Sequence, residues 1–212
     1  MGAGPLTMDC LLEAMRGRIK DRVIDAMKRV PRELFVPETL RQRAYEDIPL
    51  PIGFGQTISA PHMVAIMCDI LDLSKGMSVL DVGCGSGYHA AVMAELIGPE
   101  GHVYSVERVP ELAARAREAL RQAGIGNVRV IEGDGSLGLP DHAPYDRINV
   151  AATAPRAPEP LMQQLKPGGK MVVPVGLDLQ ELVLVTRKDG FITERLMGVA
   201  FVPLIGEHGF KE

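Results

Sequence analysis

Glycine and acidic residues follow three successive apolar runs in the middle of the sequence. The first run leads into Asp81–Tyr88, where Gly83, Gly85 and Gly87 are spaced Gly-x-Gly-x-Gly. Glycines at a strand-to-helix turn let the backbone turn sharply and let a ligand approach the main chain closely. A tight turn that binds nothing would explain these glycines equally well, so the neighbouring strand ends decide between the two interpretations.

Carboxylates end the next two apolar runs. Glu107 closes the second run, and Asp134-Gly135 closes the third. A carboxylate at the second position can accept both hydroxyls of a ribose, and one at the third can accept an adenine amino group. Taken singly, each has an ordinary explanation as a solvated strand end or an Asp-Gly turn. Three such ends in succession predict a nucleoside site. The glycine spacing differs from the Gly-x-Gly-x-x-Gly of dinucleotide enzymes, which disfavours a dinucleotide-dependent oxidoreductase.

The elements that must position these residues follow from the apolar periodicity. Strands are predicted at Ser78–Val82, Val103–Val106, Val128–Ile131, Arg147–Ala151 and Met171–Val175, and helices at Gly87–Ile97, Pro110–Ala123 and Glu159–Leu165. Near-continuous apolar strands separated by helices indicate a parallel sheet covered on both faces. Glu181–Arg187 and Thr193–Pro203 flank a turn signal and predict a terminal antiparallel hairpin. The expected fold is a doubly wound, mostly parallel, Rossmann-like α/β sheet.

A helical and irregular extension precedes this core. Apolar residues at steps of three and four between Leu12 and Val30 predict one helix, ended by Pro31, and a short helix is expected near Leu40–Tyr45. The remaining loop up to Pro61 carries interleaved apolar residues, which favours a functional loop over a disordered one. We therefore expect a single domain. It comprises the helix and substrate-side loop (1–61), a βα core (62–175) and a hairpin with a tail (176–212).

Composition narrows the class of protein. The net charge is −4 and the pI is about 5.8, with no run of Lys or Arg to supply phosphate contacts, so we expect no nucleic-acid partner. The sequence has no apolar window of the length that a membrane span needs and no signal-peptide core. Three cysteines without a Cys-x-x-Cys pair and five scattered histidines predict a reduced cytoplasmic protein without a metal site.

With these motifs the chain resembles the class I methyltransferases that depend on S-adenosylmethionine. Lys166–Lys170, before the fifth strand, is similar to their late motif. The resemblance implies S-adenosylmethionine as cofactor and S-adenosylhomocysteine as product. It further implies a set of cofactor-binding residues: Asp81, Gly83, Gly85, Gly87, Glu107, Asp134 and Gly135.

A second motif indicates the acceptor. Gly53–His62, together with Pro31–Pro37, closely resembles the protein-L-isoaspartate O-methyltransferases, and the likeness extends from residue 8 to residue 204. The resemblance implies methylation of the free carboxylate of L-isoaspartyl, and of D-aspartyl, residues in damaged proteins. It implies that Ser59 is the active-site hydroxyl. Four further residues would line the cofactor and substrate pocket: Gln56, Thr57, Ile58 and His62.

The residues around Ser59 suit this chemistry independently. Ser59 precedes a predicted helix, so it is a candidate N-cap, and a helix N-terminus favours a bound carboxylate. A carboxylate has a reference pKa near 4 and is ionised at neutral pH, so its methylation needs no general base. The absence of a recognisable acid–base pair fits such an acceptor. His89, in the first turn of the cofactor helix, is expected to be partly exposed.

Some positions depart from the family pattern, and other functions stay open. Asn149, Ala152 and Thr153 stand where small apolar residues are usual, and Ile205 replaces a polar residue. The tail Gly206–Phe210 is a candidate replacement, with Glu207 or His208 reaching the site. The alternatives are a methyltransferase for a small-molecule carboxylic acid or for RNA, and a module that binds S-adenosylmethionine without catalysis. We expect a monomer, because broad specificity requires an open cleft.

Overall fold

The computed structural model describes residues 8–211 and begins with two helices where the sequence predicted one. Helix α1 spans Met8–Met15 and α2 spans Asp21–Arg29. The predicted single helix is wrong because Gly17 adopts a left-handed conformation, with φ of +76°, which ends the first helix. The apolar periodicity continues through the break, since both helices bury their apolar faces in the same core.

The segment between α2 and the core is ordered as short helices and a hairpin. Two 3₁₀ helices span Arg32–Phe35 and Glu38–Arg43; the second overlaps the short helix expected near Leu40–Tyr45, and the first was not predicted. Strands β1 (Leu50–Gly53) and β2 (Gln56–Ile58) then pair antiparallel. Phe54 and Gly55, between these strands, both have positive φ, as a two-residue type I′ hairpin turn requires. The hairpin places the segment that ends at Ser59 over the main sheet.

The remaining elements form the predicted α/β core and terminal hairpin. Their bounds are α3 Pro61–Leu71, β3 Ser78–Val82, α4 Tyr88–Ile97, β4 His102–Glu107, α5 Pro110–Gln122, β5 Val128–Glu132, β6 Tyr145–Val150, α6 Glu159–Gln163, β7 Leu165–Val175, β8 Gln180–Arg187 and β9 Phe191–Val199. The strand order is β5-β4-β3-β6-β7-β8-β9, with β3 to β7 parallel and β8 and β9 antiparallel. The expected doubly wound, mostly parallel sheet with a C-terminal antiparallel hairpin is confirmed.

The order of the strands fixes where a ligand can bind. The chain proceeds from β3 outward through β4 to β5, then crosses back to β6 on the other side of β3. Open α/β sheets bind ligands at such a switch point, beyond the carboxyl ends of the strands. Apolar clusters cover both faces of the sheet, so the sheet edge above β3, β4 and β6 is the place left for a site. Within residues 8–211, no helix is long and apolar enough to cross a membrane.

Candidate active site

A cleft of about 880 Å³, including its mouth, lies at the carboxyl ends of β3, β4 and β6. The β1–β2 hairpin closes one side, and residues 202–205 close another. Eight of the predicted site residues line it: Gln56, Thr57, Ile58, Ser59, Gly83, Gly85, Glu107 and Gly135. The structure therefore brings the hairpin motif and the three strand ends together, although they are spread over almost eighty residues of sequence.

The glycine loop and Glu107 form the floor of the cleft. The Glu107 carboxylate is buried, and its Oε2 accepts a hydrogen bond of 2.7 Å from the amide of Gly85, while Oε1 accepts one from Val109. A carboxylate offers about four lone-pair positions, so acceptor capacity remains for two hydroxyls. Gly87 has φ of +87° and caps α4, and a Cβ there would lie 3.2 Å from that of Ala116. Gly87 therefore permits the close packing of α4 on α5 and does not line the cleft.

Asp134 is held by the C-terminal tail. Its Oδ1 accepts hydrogen bonds from the amide and hydroxyl of Ser136, and its Oδ2 accepts one of 2.7 Å from the amide of Glu207. Burial opposes ionisation, but these hydrogen bonds outweigh it, so the pKa of Asp134 lies below its ordinary value. Asp134 lines a second cavity beside the cleft, whereas Gly135 lines the cleft itself.

The tail is held beside the cleft through its main chain. Glu207 and His208, the residues expected to reach the site, do not line the cleft, and their amides donate to Asp134 and, at 3.0 Å, to the Ser136 hydroxyl. Ile205 and the neighbouring Leu204 line the cleft directly. The tail therefore covers the end of the cleft at which the nucleoside motif was predicted.

Asp81 lies beneath the loop and does not line the cleft. Its side chain is fully buried between the hydroxyl of Ser105, at 2.6 Å, and the amide of Asn149, at 2.7 Å. Burial raises the pKa of Asp81 to about 6, partly offset by these hydrogen bonds. This carboxylate can influence a ligand only through the groups that it positions.

Ser59 lies where the cleft meets a second groove. Thr57, Ser59, Ala151 and Val202 line both cavities, and His62 lines only the groove. The N-cap expectation for Ser59 is wrong, because Ala60 occupies the N-cap of α3 and Pro61 follows it. The carbonyl of Ser59 accepts a hydrogen bond of 2.9 Å from the buried guanidinium of Arg32. This contact fixes the backbone at the junction of the two cavities.

His62 is oriented by a neighbouring carboxylate. Its main-chain amide and its Nδ1 both lie within hydrogen-bond distance of Asp47 Oδ1, at 2.9 Å and 2.8 Å. The ring is half-buried beside Met63 in the groove. The structure thus places His62 on the side of Ser59 that faces away from the glycine loop.

His89 is a cleft residue that the sequence analysis placed wrongly. Its side chain is only 7% exposed and lines the cleft, whereas a partly exposed ring was expected. Burial lowers the pKa of His89 to about 3, so the ring is neutral at physiological pH. Its Nδ1 lies 3.2 Å from the amide nitrogen of Asn149. The available signal was Asn149, a polar residue within the apolar run of β6, because a buried amide requires polar partners.

Comparison with known proteins agrees with this geometry. The family model of the protein-L-isoaspartate (D-aspartate) O-methyltransferases matches residues 8–209. The protein-L-isoaspartate O-methyltransferase of Methanothrix thermoacetophila is 64% identical over 95% of this chain and 96% of its own. That of Methanothermobacter thermautotrophicus is 60% identical over 92% of this chain and 93% of its own.

Solved structures support the same assignment. A crystal structure of a Plasmodium falciparum protein assigned as a protein-L-isoaspartate O-methyltransferase, in complex with S-adenosyl-L-homocysteine, superposes with a TM-score of 0.83 and 32% identity. It covers 92% of this chain and 96% of that one. Another protein-L-isoaspartate O-methyltransferase superposes with a TM-score of 0.88 over 96% of this chain and 67% of that one. This chain belongs to the protein-L-isoaspartate (D-aspartate) O-methyltransferase family.

Proposed function

We propose that this chain transfers the methyl group of S-adenosylmethionine to the free carboxylate of L-isoaspartyl, and of D-aspartyl, residues in damaged proteins. The observation that carries the proposal is the junction at Ser59. One cavity, floored by the glycine loop and Glu107, meets a second, open groove at this residue. A cofactor in the first cavity and a polypeptide in the second would bring their reacting groups together there.

The cleft suits the cofactor in the distribution of its polar groups. Glu107, which lines the cleft and keeps free acceptor capacity, is proposed to accept the ribose hydroxyls, and Gly135, next to Asp134 in sequence, is proposed to border the adenine. Gly83 and Gly85 leave the main chain accessible along the floor. When bound, S-adenosylmethionine supplies an electrophilic methyl group on a positively charged sulfur.

The chain's own contribution is placement and exclusion of water. The isoaspartyl carboxylate is already ionised, so one of its oxygens takes the methyl group without a general base. Ser59 is proposed to donate a hydrogen bond from its hydroxyl to the other oxygen, which would hold the attacking oxygen in line with the methyl group. Apolar residues around the junction, among them Val64, Ala151 and Leu204, keep water from the reacting atoms.

The groove suits an acceptor of variable sequence. Its far wall is the extended segment Met197–Val202, at the end of edge strand β9. Main-chain groups of such a strand can pair with a polypeptide whatever its side chains.

We further propose that the protein is a cytoplasmic monomer, a single methyltransferase domain without a nucleic-acid partner. Light scattering on the purified protein tests the oligomeric state.

Two synthetic peptides that differ only in isoaspartyl or normal aspartyl linkage test the activity. Labelled S-adenosylmethionine should place base-labile label on the isoaspartyl peptide alone. Ser59→Ala should lower turnover strongly, while Ser74→Ala, at an exposed serine after α3, should not. Label on a small carboxylic acid and on neither peptide would reject the repair function and favour a small-molecule methyltransferase.

A further inference from the structure

The cleft contains a buried hydrogen-bond donor that the rest of the site does not use. Within residues 8–211, Nε2 of His89 is buried without a hydrogen-bond partner, and His89 lines the cleft. The hydroxyl of Tyr88 is also buried without one, but its ring is packed against Phe35 and Arg32. Buried polar groups in native proteins are normally satisfied, so such a group in a binding cleft points to a ligand atom.

A chain of hydrogen bonds determines the protonation of His89. The hydroxyl of Ser105 donates to Asp81 Oδ2, and the amide of Asn149 donates to Asp81 Oδ1 at 2.7 Å. The amide atom of Asn149 that faces Asp81 must be the nitrogen, because an amide oxygen there would meet the carboxylate with no hydrogen between them. The second hydrogen on that nitrogen is available to His89 Nδ1 at 3.2 Å. Nδ1 is therefore an acceptor.

An imidazole whose Nδ1 accepts a hydrogen bond carries its single proton on Nε2 when it is neutral. Burial keeps this ring neutral. The carboxylate of Asp81, although beneath the loop, thus acts through Asn149 to keep the proton on Nε2 of His89, a residue that lines the cleft. The ring sits in the first turn of α4, where the helix dipole also favours negative charge.

We propose that His89 is a positioning residue whose Nε2–H donates to a carboxylate bound in the cleft. Two ligands of the proposed reaction carry such a carboxylate: S-adenosylmethionine has an amino-acid carboxylate, and the acceptor has the isoaspartyl carboxylate. Glu107 and Gly135, which also line the cleft, are the residues proposed for the ribose and adenine, and a carboxylate is the charged acceptor that remains for this donor. The inference rests on the proposed function for the identity of both ligands.

Calorimetry on His89→Leu and His89→Gln tests the proposal without turnover. S-adenosylhomocysteine, 5′-methylthioadenosine (which lacks the amino-acid carboxylate) and, with S-adenosylhomocysteine bound, the isoaspartyl peptide serve as probes. Loss of a hydrogen bond to a charged group corresponds to roughly tenfold to hundredfold in affinity. If His89 binds the cofactor carboxylate, His89→Leu lowers the affinity for S-adenosylhomocysteine by that factor and leaves the affinity for 5′-methylthioadenosine unchanged. If His89 binds the acceptor carboxylate, only the affinity for the peptide falls. The glutamine variant, which keeps an N–H donor, should recover part of the loss.

Two outcomes overturn the proposal. One is unchanged affinity of His89→Leu for all three probes, and the other is equal weakening of S-adenosylhomocysteine and 5′-methylthioadenosine, which would indicate packing alone. The ¹⁵N shifts of His89 in the ligand-free protein give an independent check, since a proton found on Nδ1 would also overturn it. Because these measurements are of binding, they stand apart from the proposed activity, which fails only if the wild-type protein leaves the isoaspartyl peptide unlabelled.

Discussion

The carboxylate of Glu107 and the amide of Gly85 are joined by a hydrogen bond of 2.7 Å that links the end of β4 to the glycine loop after β3. The carboxylate is buried, yet Glu107 lies at the floor of the cleft. The hydrogen bond couples the shape of the loop to the proposed ribose ligand, so a change at Glu107 should affect both.

Glu107→Gln should therefore weaken cofactor binding. Both carboxylate oxygens accept from main-chain amides, so the NH₂ group of a glutamine would face the amide of Gly85 in one orientation and that of Val109 in the other. In either case two donors oppose each other and one acceptor for the ribose hydroxyls is lost. We expect the dissociation constant for S-adenosylhomocysteine to rise roughly tenfold to hundredfold, as for the loss of a charged hydrogen bond. Titration calorimetry measures this, with Glu111→Gln, at an exposed glutamate on α5, as control. Wild-type affinity in the Glu107 variant would show that this carboxylate does not hold the ribose.

Arg32 should prove essential to the junction at Ser59. Its buried guanidinium donates to the carbonyls of Ala44, at 2.7 Å, and Ser59, at 2.9 Å. Burial lowers the pKa of Arg32 to about 10, so it remains charged at neutral pH. A lysine ammonium lacks the fixed fork with which the guanidinium meets the two carbonyls, so we expect Arg32→Lys to leave one of them unsatisfied, and an unsatisfied buried acceptor costs about 1–3 kcal/mol.

We expect Arg32→Lys to lower the free energy of unfolding by an amount in that range and to raise KM for the isoaspartyl peptide. Urea unfolding and initial rates measure the two effects. Arg121→Lys, at a surface arginine paired with Glu118, is the control and should change neither. If the Arg32 variant keeps wild-type KM, its contact with Ser59 does not position the acceptor.

The sequence predicted the sheet and its strand ends because both depend on local patterns. Apolar runs identified the strands of the parallel core, and parallel strands place Gly83, Glu107 and Gly135 at one edge whatever the details of packing. The break at Gly17 was missed because the apolar periodicity is the same on both sides of it. The β1–β2 hairpin was missed because Pro51 within it and Pro49 before it disfavour a strand in any local analysis.

Other features depend on contacts between distant residues. His89 is buried beside Asn149, sixty positions away, and Asp134 is held by Glu207, seventy-three positions away. No periodicity encodes either pair. The same holds for Asp81, which the family motif placed at the cofactor and the structure places beneath the loop. A motif identifies which residues matter, whereas their direct contacts require the packing.

The buried His89 should make the protein sensitive to acid. Its pKa is lowered from 6.5 to about 3 by burial, so between these pH values His89 is protonated in the unfolded chain and neutral in the folded chain. The stability due to the neutral ring is present above pH 6.5 and is lost as the pH falls from there toward 3, by up to about 1.4 kcal/mol per pH unit. The pKa of Asp81 is raised to about 6, so its contribution to the free energy of unfolding grows as the pH falls from about 6 toward 3.8, opposite to that of His89. Asp81 is present in both wild type and variant, so this contribution cancels in their comparison.

Urea unfolding at pH 7 and pH 5 isolates the histidine. His89→Gln removes the titrating group, so the stability of the variant relative to wild type should rise between pH 7 and pH 5. His142→Gln, at a more accessible ring stacked on Tyr104, is the control. A difference between wild type and His89→Gln that is constant with pH would mean that His89 is not held neutral.

The tail should contribute to cofactor affinity through its main chain. Deletion of residues 205–212 removes Ile205 from the wall and the amides of Glu207 and His208 from the Asp134–Ser136 turn. We expect weaker binding of S-adenosylhomocysteine and slower turnover. Gly206→Ala is the sharper variant, because a Cβ at this position would lie 2.0 Å from Asp134 Oδ1 and must displace the tail. Gly190→Ala, at an open position in the β8–β9 turn, is the matched control. Affinity and turnover equal to wild type in both the deletion and Gly206→Ala would show that the tail merely covers Asp134.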